Sequence, residues 1–181
     1  MIFKKTNIDG VYNISIEKKE DDRGFFSRIM DVKEFEEKGI KSQYVQSSIS
    51  RSLKKGTFRG MHFQIEPNAE SKLIRCTRGK NYNVIIDMRR TSPTFGKYDG
   101  CEISADNYIT RNIPEGCANG NLILEDNSDL MYSTTEYYSP KSERGVKWND
   151  PYFGIKWPQE ITEISEKDNN WKLFNPENPF N

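Results

Sequence analysis

The chain has a single histidine, His62, among its 181 residues. A metal centre built on two or three histidines and a carboxylate cannot be assembled from it, which disfavours metal-dependent oxygenase chemistry. Cysteine is scarce too: Cys76, Cys101 and Cys117 are odd in number and far apart. They read as reduced thiols rather than a disulfide framework, and no pair has the spacing of a structural zinc site. Lys plus Arg and Asp plus Glu balance at 27 each, so the basic surplus typical of nucleic-acid-binding proteins is absent. A small anionic ligand stays compatible with that balance. No apolar run is as long as a membrane span, and the start MIFKKTNIDG lacks the apolar stretch of a signal peptide. The expectation is a cytoplasmic protein with no metal, no membrane partner and no nucleic-acid partner.

What is present is 34% hydrophobic and 12% aromatic residues, enough for one core, and a single domain over residues 1–181 is expected. Tyr12, Ile14 and Ile16 alternate with polar residues, as in a strand. DDRGFF reads as a turn feeding apolar residues, and residues 31–39 as a short surface helix stopped by Gly39. Short runs follow at 43–49, 57–64, 72–77, 81–88, 100–104, 107–113, 121–124 and 130–136, separated by turn signals such as KKG, EPN, SPTFG and PEG. Many short strands at this spacing predict an all-β sandwich or barrel. The last 40 residues change character: WNDPYFGIKWPQ is irregular and rich in Trp and Pro, and a short helix is expected near Ser165.

His62 sits in RGMHFQ. Its side chain is the one whose ordinary pKa lies nearest neutrality, so it suits a proton-abstracting base. A lone buried histidine is, however, more often a satisfied structural residue. The residue types around it do not decide between these by themselves. Strict strand alternation puts Arg59 and His62 on opposite faces, unless Gly60 marks a bulge.

KKGTFRGMHFQ, KLIRCTRG, DMRRTSPTFG, NIPEGCANG, YYSPKSERGVKWNDPYFGIKWP and SEKD occur in this order, and together they resemble the dTDP-4-dehydrorhamnose 3,5-epimerase family. The resemblance implies a cupin-like β jelly roll with a few short peripheral helices, a homodimer, and no cofactor. It implies inversion of carbons flanking the ketone of a nucleotide-linked 4-keto-6-deoxy sugar. Such chemistry needs a base on one face, an acid on the other and a group that stabilises the enolate oxygen. By resemblance His62 is the base, Asp168 its orienting carboxylate, Lys72 the cation at the enolate oxygen and Tyr132 the opposing acid. Arg59 matches a phosphate-side arginine and Arg23 a nucleotide-contacting arginine that reaches the partner's site. Phe26 and Tyr138 match aromatics around the base, and Gln46, Glu143 and Lys167 match further ligand contacts. Each has a plainer reading: Asp168 as part of a helix cap, Lys72 as a strand-edge lysine, Tyr132 as a core aromatic.

The chain departs from the family at three ligand-contacting positions. Asn119 stands where the pattern GxAHG has histidine, Arg28 where RGFFxE ends in Glu, and Ser48 where QxN ends in Asn. These changes predict retained chemistry on a different nucleotide sugar, with a GDP-linked 4-keto heptose as one candidate, in the synthesis of a surface polysaccharide such as a capsule. Two alternatives are a non-catalytic sugar-nucleotide-binding jelly roll and a ketoisomerase of a related sugar nucleotide.

Overall fold

In a computed structural model, which describes residues 1–177, fourteen strands and two short helices follow one another along the chain. The expected single domain over 1–181 includes residues 178–181, which lie outside the described residues. The strands are β1 (Ile2–Lys5), β2 (Tyr12–Ser15), β3 (Lys19–Asp21), β4 (Gly24–Phe26), β5 (Gln46–Ser52), β6 (Thr57–Gln64) and β7 (Lys72–Arg78). They continue with β8 (Lys80–Asp87), β9 (Tyr98–Ser104), β10 (Thr110–Ile113), β11 (Cys117–Ile123), β12 (Ser128–Thr134), β13 (Glu143–Gly145) and β14 (Glu163–Ile164). The helices are α1 (Val32–Glu36) and α2 (Glu166–Asn169). One six-stranded sheet runs β1-β2-β10-β7-β12-β5, and the facing sheet runs β13-β6-β11-β8-β9 with β14 alongside β6. Every pairing is antiparallel except the parallel β14–β6 contact. β3 and β4 form a hairpin outside both sheets. This is the all-β jelly roll that the strand pattern and the resemblance lead one to expect. No described helix is long and apolar enough to cross a membrane.

The space between the sheets is divided. One part is an apolar core of Ile8, Val11, Ile74, Cys76, Ile85, Ile103, Ile113, Cys117, Ile123 and Leu130. The other part is an open cavity. The second sheet is also buried on its outer face, where Phe58, Met61, Phe63, Val84, Ile86 and Leu122 meet Trp148, Phe153 and Trp157 of the C-terminal segment. Phe58 and Trp157 stack edge to face at 5.1 Å. That cover explains the Trp- and Pro-rich stretch: large rings seal a sheet face with little regular backbone. It also explains why β11 is buried along its whole length.

Several strand ends differ from those read in the sequence, and the reason is physical. The run expected at 43–49 is β5 at Gln46–Ser52. The side chains of β5 that line the cavity are Gln46, Ser48, Ser50 and Ser52, whereas Ile49 is exposed. A strand that faces a polar cavity inverts the apolar-in pattern on which the boundary was judged. β11 begins at Cys117 rather than 121, because CANGN carries polar residues to the same cavity. The helix expected at 31–39 shortens to five residues, capped by Asp31, which accepts from the amides of Lys33 and Glu34.

The tension over Arg59 and His62 is resolved by a bulge. β11 pairs Asn119 with His62 and Asn121 with Arg59, so β6 spends one residue more than β11 over the same span. Gly60 adopts φ +140, and a Cβ there would meet Gly120 Cα at 2.5 Å and Asn119 O at 2.9 Å. Both contacts are backbone atoms and neither can swing away. Gly60→Ala is expected to lower unfolding free energy by about 2–4 kcal/mol, combining overpacking with a disfavoured φ. Chemical denaturation of the variant measures it, and a loss below about 1 kcal/mol would show that the close approach relaxes freely.

Candidate active site

The cavity between the sheets encloses about 1050 Å³. Its walls come from different sheets. β6 contributes Arg59, His62 and Gln64, and β11 contributes Asn119 and Asn121. The facing wall carries Lys72 and Ile74 of β7, Tyr132 and Thr134 of β12, and the hydroxyl row of β5. Register aligns this second wall in rows: Tyr132 lies between Ser48 and Ile74, and Thr134 between Gln46 and Lys72.

His62 Nε2 lies 2.6 Å from Asp168 Oδ1. Asp168 reaches it from α2, which crosses β6 in the gap between β13 and β14, and its second oxygen accepts the Gly60 amide at 3.2 Å. Ser165 caps α2 by accepting from the Asp168 amide at 3.1 Å. The capping reading and the His62 contact do not compete: the backbone of Asp168 closes the cap while its carboxylate bonds the imidazole. Burial pushes the Asp168 carboxyl upward, but the bonds to His62, Gly60 and Ser165 outweigh it, and its pKa lies below the ordinary value. An ionised carboxylate only accepts, so Nε2 carries the proton and Nδ1 of the neutral ring keeps the lone pair. That is the tautomer a base requires. Trp171 borders the imidazole edge to face at 6.3 Å. Its ring fills the space over Gly145, where a Cβ would come within 2.0 Å of it.

On the facing wall Lys72 Nζ pairs with Glu70 Oε1 at 2.8 Å, and both side chains are largely buried. β7 is a central strand between β10 and β12, so the edge-lysine reading does not apply. Tyr132 packs on the apolar core and lines the cavity, and among the described residues its hydroxyl has no hydrogen-bond partner. At the rim, Tyr138 donates to Glu143 at 2.9 Å and Lys167 holds both Glu143 oxygens at 2.7 Å. Burial raises the Glu143 carboxyl, but Lys167 and Tyr138 pull it below its usual range, and Glu143 in turn raises Lys167. Arg59 is held by Ser52 Oγ and the Arg51 carbonyl, with no carboxylate partner among the described residues.

Arg23, Phe26 and Arg28 lie outside this cavity in their own chain, and Lys167 stands at its rim on Glu143 without lining it. Arg23 is 89% exposed at the tip of the β3–β4 hairpin and pairs with Asp21 at 2.6 Å. Phe26 is exposed on the same hairpin, and Arg28 pairs with Asp31 at 3.3 Å. The hairpin belongs to neither sheet, so nothing in the fold turns it towards its own pocket.

The family profile described as dTDP-4-dehydrorhamnose 3,5-epimerase matches residues 5–176. The chain belongs to the dTDP-4-dehydrorhamnose 3,5-epimerase family. The curated dTDP-4-dehydrorhamnose 3,5-epimerase of Shigella flexneri is 43% identical over 155 residues, 85% of each chain. The crystal structure of the dTDP-4-dehydrorhamnose 3,5-epimerase from Elizabethkingia anophelis superposes with a TM-score of 0.93 at 36% identity, covering 96% of both chains. That of the Bacillus anthracis enzyme, with TDP and PPi bound, superposes at 0.89 and 38% identity, over 96% of this chain and 100% of that one. The protein is an isomerase, and specifically a sugar epimerase.

Within this epimerase, two of the three departures from the family pattern face the cavity. Asn119 stands beside His62, and Ser48 beside Tyr132. Arg28 does not. The residues missed in the sequence are Glu70, Trp171 and Asn121, all close to those that were found. Glu70 had one available signal, since it stands two residues before Lys72 and alternate residues share a face. Trp171 had none, because its contact with His62 spans more than a hundred residues of chain.

The lowered Asp168 pKa links this site to stability. A carboxylate depressed on folding stabilises above its unfolded pKa, and that contribution is lost as pH falls through the folded value. Asp168→Asn is therefore expected to be less stable than wild type at neutral pH and to converge with it below about pH 4. Urea denaturation across pH 2–7 (roughly the carboxylate range) checks this, and a constant gap at all pH would rule out an ionised Asp168 as the source.

Proposed function

We propose that this epimerase inverts C3, C5 or both in a nucleotide-linked 4-keto sugar through an enolate. The observation that supports the reading most directly is the placement of His62, backed by Asp168, on one sheet and of Tyr132 and Lys72 on the other. A carbon held between them has a base on one face and an acid on the opposite face. His62 Nδ1 takes the proton next to the ketone, the C–H electron pair forms the enolate C=C bond, and the carbonyl π pair moves onto its oxygen. The Lys72 ammonium stabilises that oxygen, and Tyr132 delivers a proton from the other side. The Tyr132 hydroxyl is then reprotonated from solvent and His62 releases its proton, so the product has the mass of the substrate. A pure binding module would have no use for an oriented base facing a tyrosine hydroxyl that has no hydrogen-bond partner among the described residues.

The diphosphate belongs at the Arg59 end, where no carboxylate among the described residues claims the guanidinium. TDP bound to the Bacillus anthracis relative supports a nucleoside diphosphate there. Asn119 and Ser48 favour a sugar nucleotide other than that of the relatives, and a GDP-linked 4-keto heptose is the candidate we carry forward, for a surface polysaccharide made in the cytoplasm. We also propose a homodimer, in which Arg23 and Phe26 of one hairpin complete the partner's nucleotide site. The exposed apolar side chains of Phe26, Ile49 and Leu53 are in keeping with cover by a partner.

In deuterated water with a panel of dTDP- and GDP-linked 4-keto sugars, wild-type protein is expected to incorporate one or two deuterons, read by mass spectrometry. His62→Asn should lower that exchange about 10²–10⁴-fold with little change in nucleotide affinity. Tyr132→Phe should retain exchange at the carbon His62 faces and slow inversion. Wild-type exchange in His62→Asn would remove His62 as the base. For the dimer, gel filtration should show twice the monomer mass, and a monomer with undiminished nucleotide affinity would exclude a role for Arg23 in trans.

A further inference from the structure

A chain of buried polar groups runs from the interior of the barrel to the cavity wall, and its polarity is fixed at one end. Arg111 of β10 is fully buried. It pairs with Asp99 and donates through Nε to Asn13 Oδ1 at 2.8 Å. Its Nη1 donates to the Asn83 carbonyl at 2.8 Å and to Asn83 Oδ1 at 3.0 Å. A guanidinium has no acceptor, so the Asn83 side-chain atom facing it must be oxygen. Asn83 Nδ2 then points the other way, donating to the Gly120 carbonyl at 3.2 Å and to Asn121 Oδ1 at 3.0 Å. Asn81 Nδ2 gives the same oxygen a second bond at 2.9 Å. Flipping the Asn121 amide would set nitrogen against nitrogen at both contacts. Its Nδ2 is therefore the atom left for the cavity that Asn121 lines, and among the described residues it has no partner. Asn121 is only 8% exposed, so this donor is held in place rather than free in solvent.

Its position narrows what it can meet. Along β11, Asn119 stands beside His62 and Asn121 beside Arg59. On the proposed reading of the cavity, His62 marks a carbon flanking the ketone and Arg59 marks the diphosphate. The oxygens between those two points adjoin the anomeric carbon. We propose that Asn121 is a specificity-determining residue that donates a hydrogen bond to an acceptor oxygen next to the anomeric carbon, and that Arg111 and Asn83 position it. The acceptor is the C2 oxygen of the sugar or a sugar-proximal phosphoryl oxygen. The proposal rests on the sugar-nucleotide reading of the cavity and adds a polarity requirement: an acceptor must be present there.

The test is calorimetric binding, which does not depend on turnover. The ligands are dTDP- and GDP-linked glucose, their 2-deoxyglucose counterparts, and free dTDP and GDP. The proteins are wild type, Asn121→Ala and Asn121→Ser; the serine variant keeps a hydroxyl towards Asn81 and Asn83 should the alanine variant fold poorly. With a C2 acceptor, wild type prefers the 2-hydroxy sugar about 3- to 10-fold, and both variants bring that ratio close to one. With a phosphoryl acceptor, wild type shows no such preference, and the variants weaken the free diphosphates by a similar factor. Variants that leave every affinity unchanged overturn the role of Asn121 while keeping the cavity reading. A wild type that binds none of these ligands overturns the cavity reading and this assignment with it.

Discussion

The hydrogen bond between His62 and Asp168 is the constraint on which the site depends. It joins residues 106 positions apart in the chain. For it to form, the C-terminal segment must cover the second sheet, and α2 must cross β6 where neither β13 nor β14 pairs with it. The same carboxylate takes the Gly60 amide, so one buried charge closes the exposed edge of the bulge and selects the imidazole tautomer. Charge-assisted bonds of this kind are stronger than neutral ones, and partial burial strengthens them further.

The bulge supplies the second condition. Without the extra residue in β6, Arg59 and His62 would face opposite sides of the sheet. With it, a cation and a base share one wall three residues apart in sequence. Gly60 is required because Gly120 of β11 passes within van der Waals contact, and the two glycines allow the strands to approach there. A local departure from regular backbone geometry thus sets the distance between His62 and Arg59 along the cavity wall.

A polar cavity inside a jelly roll is costly unless its lining is hydrogen-bonded. This barrel meets the requirement by grading its interior. Isoleucines and cysteines fill one end, the Arg111–Asn83–Asn121 relay and the serine row of β5 form the transition, and the ionisable groups line the mouth. Fully satisfied polar groups hold their orientation, which is what lets neutral amides discriminate between donors and acceptors. Asn81 Oδ1 is an exception, as are the buried Trp171 Nε1, Thr110 Oγ1, Arg75 Nε and the Tyr44 hydroxyl, none of which has a partner among the described residues.

The all-β class was legible in the sequence, because short apolar runs between turn signals have few other solutions. The single histidine was plain in the sequence, and the resemblance pointed to His62, Asp168, Lys72 and Tyr132, which the fold brings to the walls of one cavity. The strands facing the cavity, β5 and β11, were misplaced because their inward residues are polar and period-two reasoning assumes an apolar interior. Glu70 beside Lys72, Trp171 against His62 and the donor polarity of Asn121 are contacts between segments, and no local pattern encodes them. The sequence by itself determined the family, through its ordered motifs, and that one histidine was available; composition and spacing did not decide what that histidine does. Tertiary structure alone decided which wall each group occupies and which atom of the Asn121 amide is left for the cavity, since both depend on partners brought together only when the two sheets close.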